Sequence, residues 1–203
     1  MKVICIIPAR ANSRRCPGKN TKNFCDKSLT ILACEQAVRL KDYFDICLTS
    51  NDGEAIRQAK ECGIENIRVR PEELCGPDAS SESAIEDVLD YMKETKGAEY
   101  THVLLLEVTS PFRQDSDITK SLELCKNGMG VKSVVSIKNF LDGEVITDGF
   151  QLEGSIHLYN TSWLYDTPYN RVNLLEIPRE RAWHIDYQWQ FDCAEMLFKE
   201  QGK

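Results

Sequence analysis

Short apolar runs alternate with segments of helical periodicity through residue 137, and this alternation constrains the fold more than any other feature. Strands of this type that alternate with helices of 11 to 17 residues form right-handed βαβ units around a mostly parallel, twisted sheet. We therefore expect an α/β fold of three layers with helices on both faces of the sheet. The predicted strands are Lys2–Ile7, Asp45–Thr49, Asn66–Val69, His102–Glu107 and Lys132–Ile137, and the predicted helices are Ser28–Lys41, Asp52–Cys62, Ser80–Lys96 and Asp115–Lys126.

Beyond Ile137 the pattern is looser. Glycines separate two strand-like pieces at Glu144–Thr147 and Ile156–Tyr159, and a turn-rich stretch at Tyr165–Asn170 precedes a closing helix predicted at Tyr187–Glu200. No repeat, low-complexity segment or linker interrupts the 203 residues, of which 42% are hydrophobic. That length and composition suit one sizeable core, so we expect a single domain over residues 1–203.

The composition also limits location and metal chemistry. The apolar run at Val3–Pro8 is too short for a signal peptide or a membrane span. The nine cysteines include no pair with the spacing of a zinc ribbon. We therefore expect reduced thiols in a cytoplasmic protein that does not bind membranes, with cysteines in apolar segments (Cys5, Cys34 and Cys47) buried in the core.

Positive charge is concentrated at the start of an acidic chain. The formal net charge is -7, yet the first 27 residues contain seven basic side chains and a single acidic one, Asp26. The acidic balance argues against binding of a nucleic acid polymer, which needs an excess of lysine and arginine. A basic loop on an acidic body favours a small polyanionic ligand, although the charges alone also fit a solvated basic loop.

The basic loop follows the first predicted strand, and in parallel α/β sheets ligands bind beyond the carboxyl ends of the strands. Arg10 and Lys19 stand at its two ends, with small residues and the turn Pro17-Gly18 between them. Backbone N–H groups and fixed cations in such a loop can hold phosphate groups. The loop is neither a Walker A sequence nor a G-x-G-x-x-G fingerprint.

The stretch I-P-A-R-x-x-S-x-x-x-P-G-K-N at residues 7–20 resembles the acylneuraminate cytidylyltransferases, the CMP-sialic acid synthetase family. Four more segments resemble this family in its order: LTSNDGEAI at 48–56, RVRPEELCGPDASS at 68–81, LLLEVTSPFR at 104–113 and WHIDYQWQFDCAE at 183–195. Together the five cover most of the chain apart from residues 139–153. The resemblance implies a fold like that of the nucleotide-diphospho-sugar transferases.

The resemblance further implies Mg²⁺-dependent transfer of CMP from CTP to the hydroxyl of an acidic sugar, with release of pyrophosphate. In-line attack on a phosphorus atom needs alignment and charge neutralisation more than covalent help. Matching the family's motifs position by position implies a role for each of nine residues. The triphosphate would be held by Arg10, Ser13 and Lys19, and the cytosine would lie beside Asn20, Arg70 and Ser80 or Ser81. Glu107 would lie on the acceptor side, and Asp186 would bind the metal.

Two of these residues have ordinary structural alternatives. Arg70 precedes a proline directly after a strand, and Asp186 precedes the closing helix, where it could act as its N-cap.

The chain departs from the family's pattern at several positions. The family's Gly-Gly after the first arginine is Ala11-Asn12, its acceptor-side glutamine is Glu107, and the first aspartate of its D-I-D is His184. A neutral imidazole is a poor ligand for Mg²⁺ compared with a carboxylate. These differences keep a second hypothesis open, a nucleotide-binding module with a degenerate metal site.

The stretch between Ser136 and Gly154 is shorter than the family's, which supplies sugar contacts and an arm exchanged across a dimer. The acceptor is therefore open to a different sugar acid or another hydroxyl compound, and a homodimer is a possible assembly. Three cations, Lys132, Lys138 and Arg171, are candidates to face a carboxylate. The related Kdo cytidylyltransferases have P-G-K-P in the loop, so Asn20 favours the acylneuraminate branch.

Overall fold

A computed structural model of the chain describes residues 1–11, 13–76, 80–125, 130–141, 144–164 and 172–200, with side chains described outside 136–141, 144–154 and 163. Asn12, Arg171 and the side chain of Lys138 therefore lie outside the described residues. The strands are β1 (Val3–Pro8), β2 (Asp45–Ser50), β3 (Asn66–Val69), β4 (His102–Leu105), β5 (Gly130–Leu141), β6 (Glu144–Asn160) and β7 (Val172–Glu176). The α-helices are α1 (Leu29–Arg39), α2 (Gly53–Glu61), α3 (Ser81–Lys96), α4 (Asp115–Leu124) and α5 (Gln188–Glu200).

All seven strands belong to one mixed, mostly parallel sheet in the order β3-β2-β1-β4-β6-β5-β7. β1 is parallel to both β2 and β4, and β6 is antiparallel to its neighbours β4 and β5. The expectation of a mostly parallel α/β sheet is confirmed. The carboxyl ends of β1 to β4 consequently meet at one edge, where the loops that follow them converge.

Side chains of the sheet alternate between two hydrophobic clusters. On β1, Val3, Cys5 and Ile7 face one side and pack with α1, α2, α4 and α5, whereas Ile4 and Ile6 face α3. The helices thus cover both faces, as the three-layer expectation requires. Cys5, Cys34 and Cys47 are buried in these clusters, as predicted.

Most predicted elements lie within two residues of their observed bounds, and the differences have local causes. Ser28 and Asp52 cap α1 and α2, and the cysteine after α2 is followed by Gly63 at φ +86. Ser80, rather than Ser83, is the N-cap of α3, since its hydroxyl accepts a hydrogen bond from the N–H of Ser83.

The largest differences lie in the last third of the chain. The two strand-like pieces predicted around the glycines are parts of the single strand β6, which runs through Gly149 and Gly154. β7 pairs in parallel with β5 and was not predicted from the sequence. No helix in the part of the chain that the structure describes is long and apolar enough to cross a bilayer.

Candidate active site

A cleft of about 220 Å³ opens at the carboxyl ends of the central strands, between the sheet and α3. Its floor is apolar and includes Ile6 of β1 and Leu105 of β4. Eight of the nine site residues predicted from the sequence line this one cleft: Arg10, Lys19, Asn20, Arg70, Ser80, Ser81, Glu107 and Asp186. Residues that are up to 176 positions apart in sequence therefore share one concave surface.

A second, adjoining cleft of about 410 Å³ contains the ninth residue, Ser13. Arg14 and Arg15 also line it, together with four residues that it shares with the first cleft, Arg10, Lys19, Asn20 and Asp186. The two clefts therefore meet along the basic loop after β1, which presents cations to both.

Lys19 and Asp186 form the central ion pair at this junction. The ammonium of Lys19 donates to Asp186 Oδ1 over 3.0 Å and also to the carbonyl oxygen of Ile185. Lys19 is only 8% exposed, so the alternative of a solvated basic loop does not hold at this position. Arg15 lies 3.7 Å from the other carboxylate oxygen of Asp186.

The neighbours of Asp186 keep it ionised. Partial burial works against the charged form, but the hydrogen bond from Lys19 and the nearby charges of Lys19, His184 and Arg15 outweigh it and hold the pKa of this carboxyl below its ordinary value. The carboxylate does not cap α5, because that helix begins two residues later. Instead, the side chain of Gln190 accepts hydrogen bonds from the N–H groups of Asp186 and Tyr187 and fixes the backbone there.

The basic loop is shaped by a tight turn and anchored on α5. Gly18 has φ +66, a conformation that favours glycine, and its carbonyl accepts hydrogen bonds from the N–H groups of Thr21 and Lys22. Lys22 donates to Gln188 at the start of α5. Phe24 then packs edge-on against two phenylalanines of that helix, with ring centroids 5.3 and 5.2 Å apart.

The other predicted nucleotide contacts are also fixed by hydrogen bonds. Arg70 is 7% exposed and donates to the hydroxyl and carbonyl oxygens of Thr49 at the end of β2. Asn20 donates to the carbonyl of Arg10, whose guanidinium donates to the carbonyl of Gly76. Burial, assisted by the charge of Arg10, lowers the pKa of Arg70 from its ordinary value.

Ser80 and Ser81 bring the N-terminus of α3 to the cleft. Ser80 caps the helix and Ser81 is its first residue. The first turn of a helix has unpaired N–H groups and a partial positive charge, which favour polar or anionic partners. This geometry makes the segment suitable for binding polar atoms of a ligand.

Glu107 is half-buried and lies in the loop that follows β4. Burial raises the pKa of this carboxyl, and the positive charges of Arg113, Lys19 and Arg70 oppose the rise. The backbone beneath it is fixed by Arg113, which is buried and donates to the carbonyl oxygens of Glu107 and Ser155. This part of the cleft thus contains an acidic group on a rigid support.

Sequence reasoning did not single out several residues that build this site. Thr109 lies 3.2 Å from the imidazole nitrogens of His184, and its carbonyl accepts the N–H of Ile185, which joins the loop after β4 to the segment before α5. Thr49 anchors Arg70, and Arg113 anchors Glu107. Thr109 and Arg113 stand in the quoted segment LLLEVTSPFR, but only the tertiary contacts reveal their roles.

The residues around Asp186 supply one carboxylate for a metal ion. Among the described residues, no group of three or more His, Cys, Asp or Glu side chains is arranged to hold a metal. His184 Nε2 lies 4.0 Å from Asp186 Oδ1. Mg²⁺ is commonly held by one or two carboxylates together with water and substrate phosphates. Asp186 beside the basic loop fits this mode of binding.

Comparison with known proteins agrees with this geometry. The family model described as "Cytidylyltransferase" matches residues 4–190. The chain belongs to the cytidylyltransferase family. The matched range includes the basic loop, the segments around Arg70 and Glu107, and Asp186.

Curated relatives of this cytidylyltransferase-family chain act on sugar acids, as far as their names state. The chain is 32% identical over 123 residues to pseudaminic acid cytidylyltransferase of Campylobacter jejuni subsp. jejuni serotype O:23/36 (61% of the chain, 53% of the relative). It is 30% identical over 139 residues to CMP-N,N'-diacetyllegionaminic acid synthase of Legionella pneumophila (68% and 58%). It is 28% identical over 172 residues to N-acylneuraminate cytidylyltransferase of Escherichia coli O18:K1:H7 (85% and 38%). The chain thus matches between about two fifths and three fifths of the length of these relatives.

Solved structures support the fold of the family member at low sequence identity. The structure of CMP:2-keto-3-deoxy-manno-octonic acid synthetase complexed with CTP is 15% identical, with a TM-score of 0.71 over 99% of this chain and 100% of the other. The structure of 4-diphosphocytidyl-2C-methyl-D-erythritol synthase is 12% identical, with a TM-score of 0.70 over 97% and 98%. The chain therefore shares the α/β fold of these two proteins, which confirms the expected fold.

Proposed function

We propose that the chain is a CTP-dependent cytidylyltransferase that transfers CMP to a hydroxyl of an acidic sugar and releases pyrophosphate. The observation that carries this proposal is the 3.0 Å pair between Lys19 and Asp186. It joins a cationic, phosphate-binding loop to a carboxylate at the place where two clefts meet. A nucleoside triphosphate with its metal ion and an acceptor require such a junction.

The basic loop and the first cleft bind different parts of the nucleotide in this proposal. Arg10, Ser13 and Lys19 bind the triphosphate, and the charge of Lys19 stabilises negative charge that develops on the transferred phosphorus group. Asn20, Arg70, Ser80 and Ser81 hold the nucleoside in the first cleft. Because Asn20, Arg70 and Ser80 already make hydrogen bonds with the scaffold, little ordering of these three side chains is needed when the nucleotide binds.

Glu107 and Asp186 define the side from which the acceptor approaches. Asp186 is the proposed Mg²⁺ ligand, and the bound ion would neutralise phosphate charge and orient the triphosphate. Glu107 contacts the acceptor in this proposal, and burial raises the pKa of its carboxyl above the ordinary value. Its charge also repels an anionic acceptor unless a cation compensates.

The names of the relatives suggest nine-carbon sugar acids such as pseudaminic, legionaminic and N-acylneuraminic acids as the acceptor class. We propose this class of acids as acceptors and do not assign one particular acid. A homodimer, a cytoplasmic location and the single-domain organisation stay predictions from the sequence.

The direct test is pyrophosphate release from CTP and Mg²⁺ with a panel of these three acids and 2-keto-3-deoxy-manno-octonic acid. We expect turnover with at least one acid, loss of turnover with a chelator, and an increased Mg²⁺ requirement in Asp186→Asn. Asp42→Asn, which changes an exposed aspartate after α1 that lines neither cleft, is the matched control. Absence of turnover across the whole panel would refute the proposal.

A second candidate is a nucleotide-binding module without catalysis. It is favoured by His184 at the position where the resembling family has an aspartate, which leaves Asp186 as the carboxylate beside the loop. This candidate requires CTP binding that does not change on addition of Mg²⁺, together with no release of pyrophosphate. Calorimetric titration of CTP with and without Mg²⁺ separates it from the enzyme.

A further inference from the structure

The floor of the first cleft continues across the sheet and changes from apolar to polar. Ile6 pairs with Leu105, Leu105 with His157 of β6, and His157 with Lys132 of β5. Residues directly opposite each other in a sheet project from the same face. Because Ile6 and Leu105 line the cleft, His157 and Lys132 extend its floor, and the backbone of Lys132 lies two strand spacings, about 10 Å, from that of Leu105.

Lys132, His157 and Tyr159 form a cluster on this extension, which we call the acceptor shelf. The ring of His157 stacks on that of Tyr159, with centroids 5.9 Å apart and planes within 6°. The ammonium of Lys132 lies 6.0 Å from the Tyr159 ring centroid. Among the described residues, no carboxylate pairs with this ammonium, and His157 Nδ1 is buried without a hydrogen-bond partner.

The electrostatic environment of Tyr159 connects the acceptor shelf to the cleft. Burial, followed by the negative charges of Glu82 and Glu107, raises the pKa of Tyr159 to about 12. Glu107 is therefore close enough to act on the shelf through its charge. The phenol stays protonated at neutral pH and can donate or accept a hydrogen bond without carrying a charge.

His157 is uncharged at neutral pH. Burial, followed by the charges of Lys132 and His184, lowers the pKa of this imidazole to about 4, and the charge of Glu82 opposes the shift. His184 lines the first cleft, so the shelf and the cleft share one electrostatic environment. Lys132 consequently supplies the positive charge of the shelf.

The strand geometry changes directly after Lys132. Its pairing with His157 is regular, but the register shifts between Lys132 and Val134. Such irregularities re-aim side chains and occur often beside active sites. The acceptor shelf therefore ends at this register shift, which lies at the same edge of the sheet as the cleft.

We propose that Lys132 binds the carboxylate of the acceptor, and that the stacked rings of His157 and Tyr159 support the sugar. This inference rests on the proposed cytidylyl transfer, and it makes Lys132 a determinant of specificity for acids. A compensating cation is needed there because Glu107 places a negative charge on the acceptor side. The ligand class is a sugar that carries a carboxylate near the reacting hydroxyl.

The test compares Lys132→Gln with the wild-type chain on the free acids and their methyl esters at saturating CTP. We expect the KM for the preferred acid to rise about 10- to 100-fold, the range for loss of a hydrogen bond between charged groups. The KM for CTP and the turnover of the methyl ester should stay nearly unchanged. Lys120→Gln is the matched control, because Lys120 is exposed on α4, on the opposite face of the sheet.

A second variant, Lys132→Arg, separates binding from structure, since it keeps the charge and should retain most of the affinity for the acid. If Lys132→Gln and Lys132→Arg are equally impaired, or if Lys132→Gln leaves the KM for acids unchanged in an active enzyme, the inference is overturned while the transfer activity stands.

If no acid is turned over at all, the proposed function fails, and calorimetric titration of the same acids into the CTP-bound protein decides the inference. Binding heat that disappears in Lys132→Gln but persists in Lys120→Gln supports the role of Lys132. Absence of binding to the wild-type chain, or equal binding by all three proteins, overturns it.

Discussion

The two ends of the cleft differ in how completely their polar groups are engaged. At the proposed nucleotide end, Arg10, Asn20 and Arg70 donate hydrogen bonds to backbone or side-chain oxygens of the scaffold. Of these three side chains, only the amide oxygen of Asn20 is buried without a hydrogen-bond partner. At the acceptor end, the carboxylate of Glu107 and the ammonium of Lys132 have no hydrogen-bond partner among the described residues. The first end is organised in advance, whereas the second presents charges that a ligand must complement.

This difference suggests a division of labour within one fold. A preorganised nucleotide end loses little entropy on binding and can remain the same for different acceptors. Charges without partners at the acceptor end reject ligands that leave them unpaired, which is how polar sites achieve discrimination. Substitutions at the first end should therefore change catalysis with every acceptor, and substitutions at the second should change the choice of acceptor.

The largest effect is expected for Lys19→Ala. The substitution removes a buried ammonium from the junction of the clefts and leaves Asp186 without its nearest partner, so kcat should fall by about 1,000-fold with every acceptor. Pyrophosphate release measures the loss, and circular dichroism checks that the chain remains folded. Lys27→Ala, which breaks only an exposed pair with Glu35, is the control and should keep nearly full activity.

A smaller effect is expected for Arg70→Lys. The lysine keeps the positive charge but loses the planar fork that bonds Thr49, so affinity for CTP should fall about 50-fold by calorimetry. The acceptor KM should hardly change. Arg68→Lys, two residues earlier and paired with Asp87 of α3, is the matched control. Equal losses in both variants would mean that the nucleotide end is not the part of the cleft that binds CTP.

The smallest effect is expected for Glu107→Gln, at the acceptor end. The variant removes a negative charge, so at pH 8 its KM for an acidic acceptor should be about tenfold lower than that of the wild type. As the pH falls through the raised pKa of Glu107, the wild-type KM should approach that of the variant. Glu73→Gln, exposed and outside the clefts, should behave as the wild type, and a pH-independent ratio of the two KM values would contradict the prediction.

The same substitution has a predicted effect on stability. Because the pKa of Glu107 is raised in the folded chain, the folded state binds this proton more tightly than the unfolded state does. The stabilisation of the wild-type fold by this carboxyl is therefore fully present below the ordinary pKa of glutamate. It is lost as the pH rises through the raised pKa of the folded state. Relative to wild type, Glu107→Gln should gain melting temperature as the pH rises through this window.

The sequence predicted the parallel part of the sheet well because its signals are local. Buried parallel strands are short apolar runs, and the helices between them begin at capping side chains such as Ser28 and Asp52. Prediction failed at β6, because Gly149 and Gly154 were interpreted as interruptions. The strand continues through them with its hydrogen bonds supplied by β5, a contact between distant residues that no local pattern contains.

For the site, the motifs predicted which residues converge but not what holds them. The positions of Lys19 and Asp186 came from resemblance, and their 3.0 Å pairing is visible only in the fold. Thr109, Arg113 and the acceptor shelf depend on pairings across the sheet and between loops. Prediction from sequence is therefore strongest for side chains in linear motifs and weakest for the supports that orient them.

The dependence of the basic loop on α5 has a consequence for biosynthesis. All seven strands lie before residue 177, but the carboxylate that pairs with Lys19 and the aromatic surface under Phe24 come from residues 186–198. A nascent chain can form the sheet on the ribosome, yet the basic loop has no docking surface until α5 has emerged. A chain that ends before residue 185 would therefore leave Lys19 without its carboxylate and carbonyl partners and Phe24 without its aromatic neighbours, so the basic loop would lack the contacts that hold it in place.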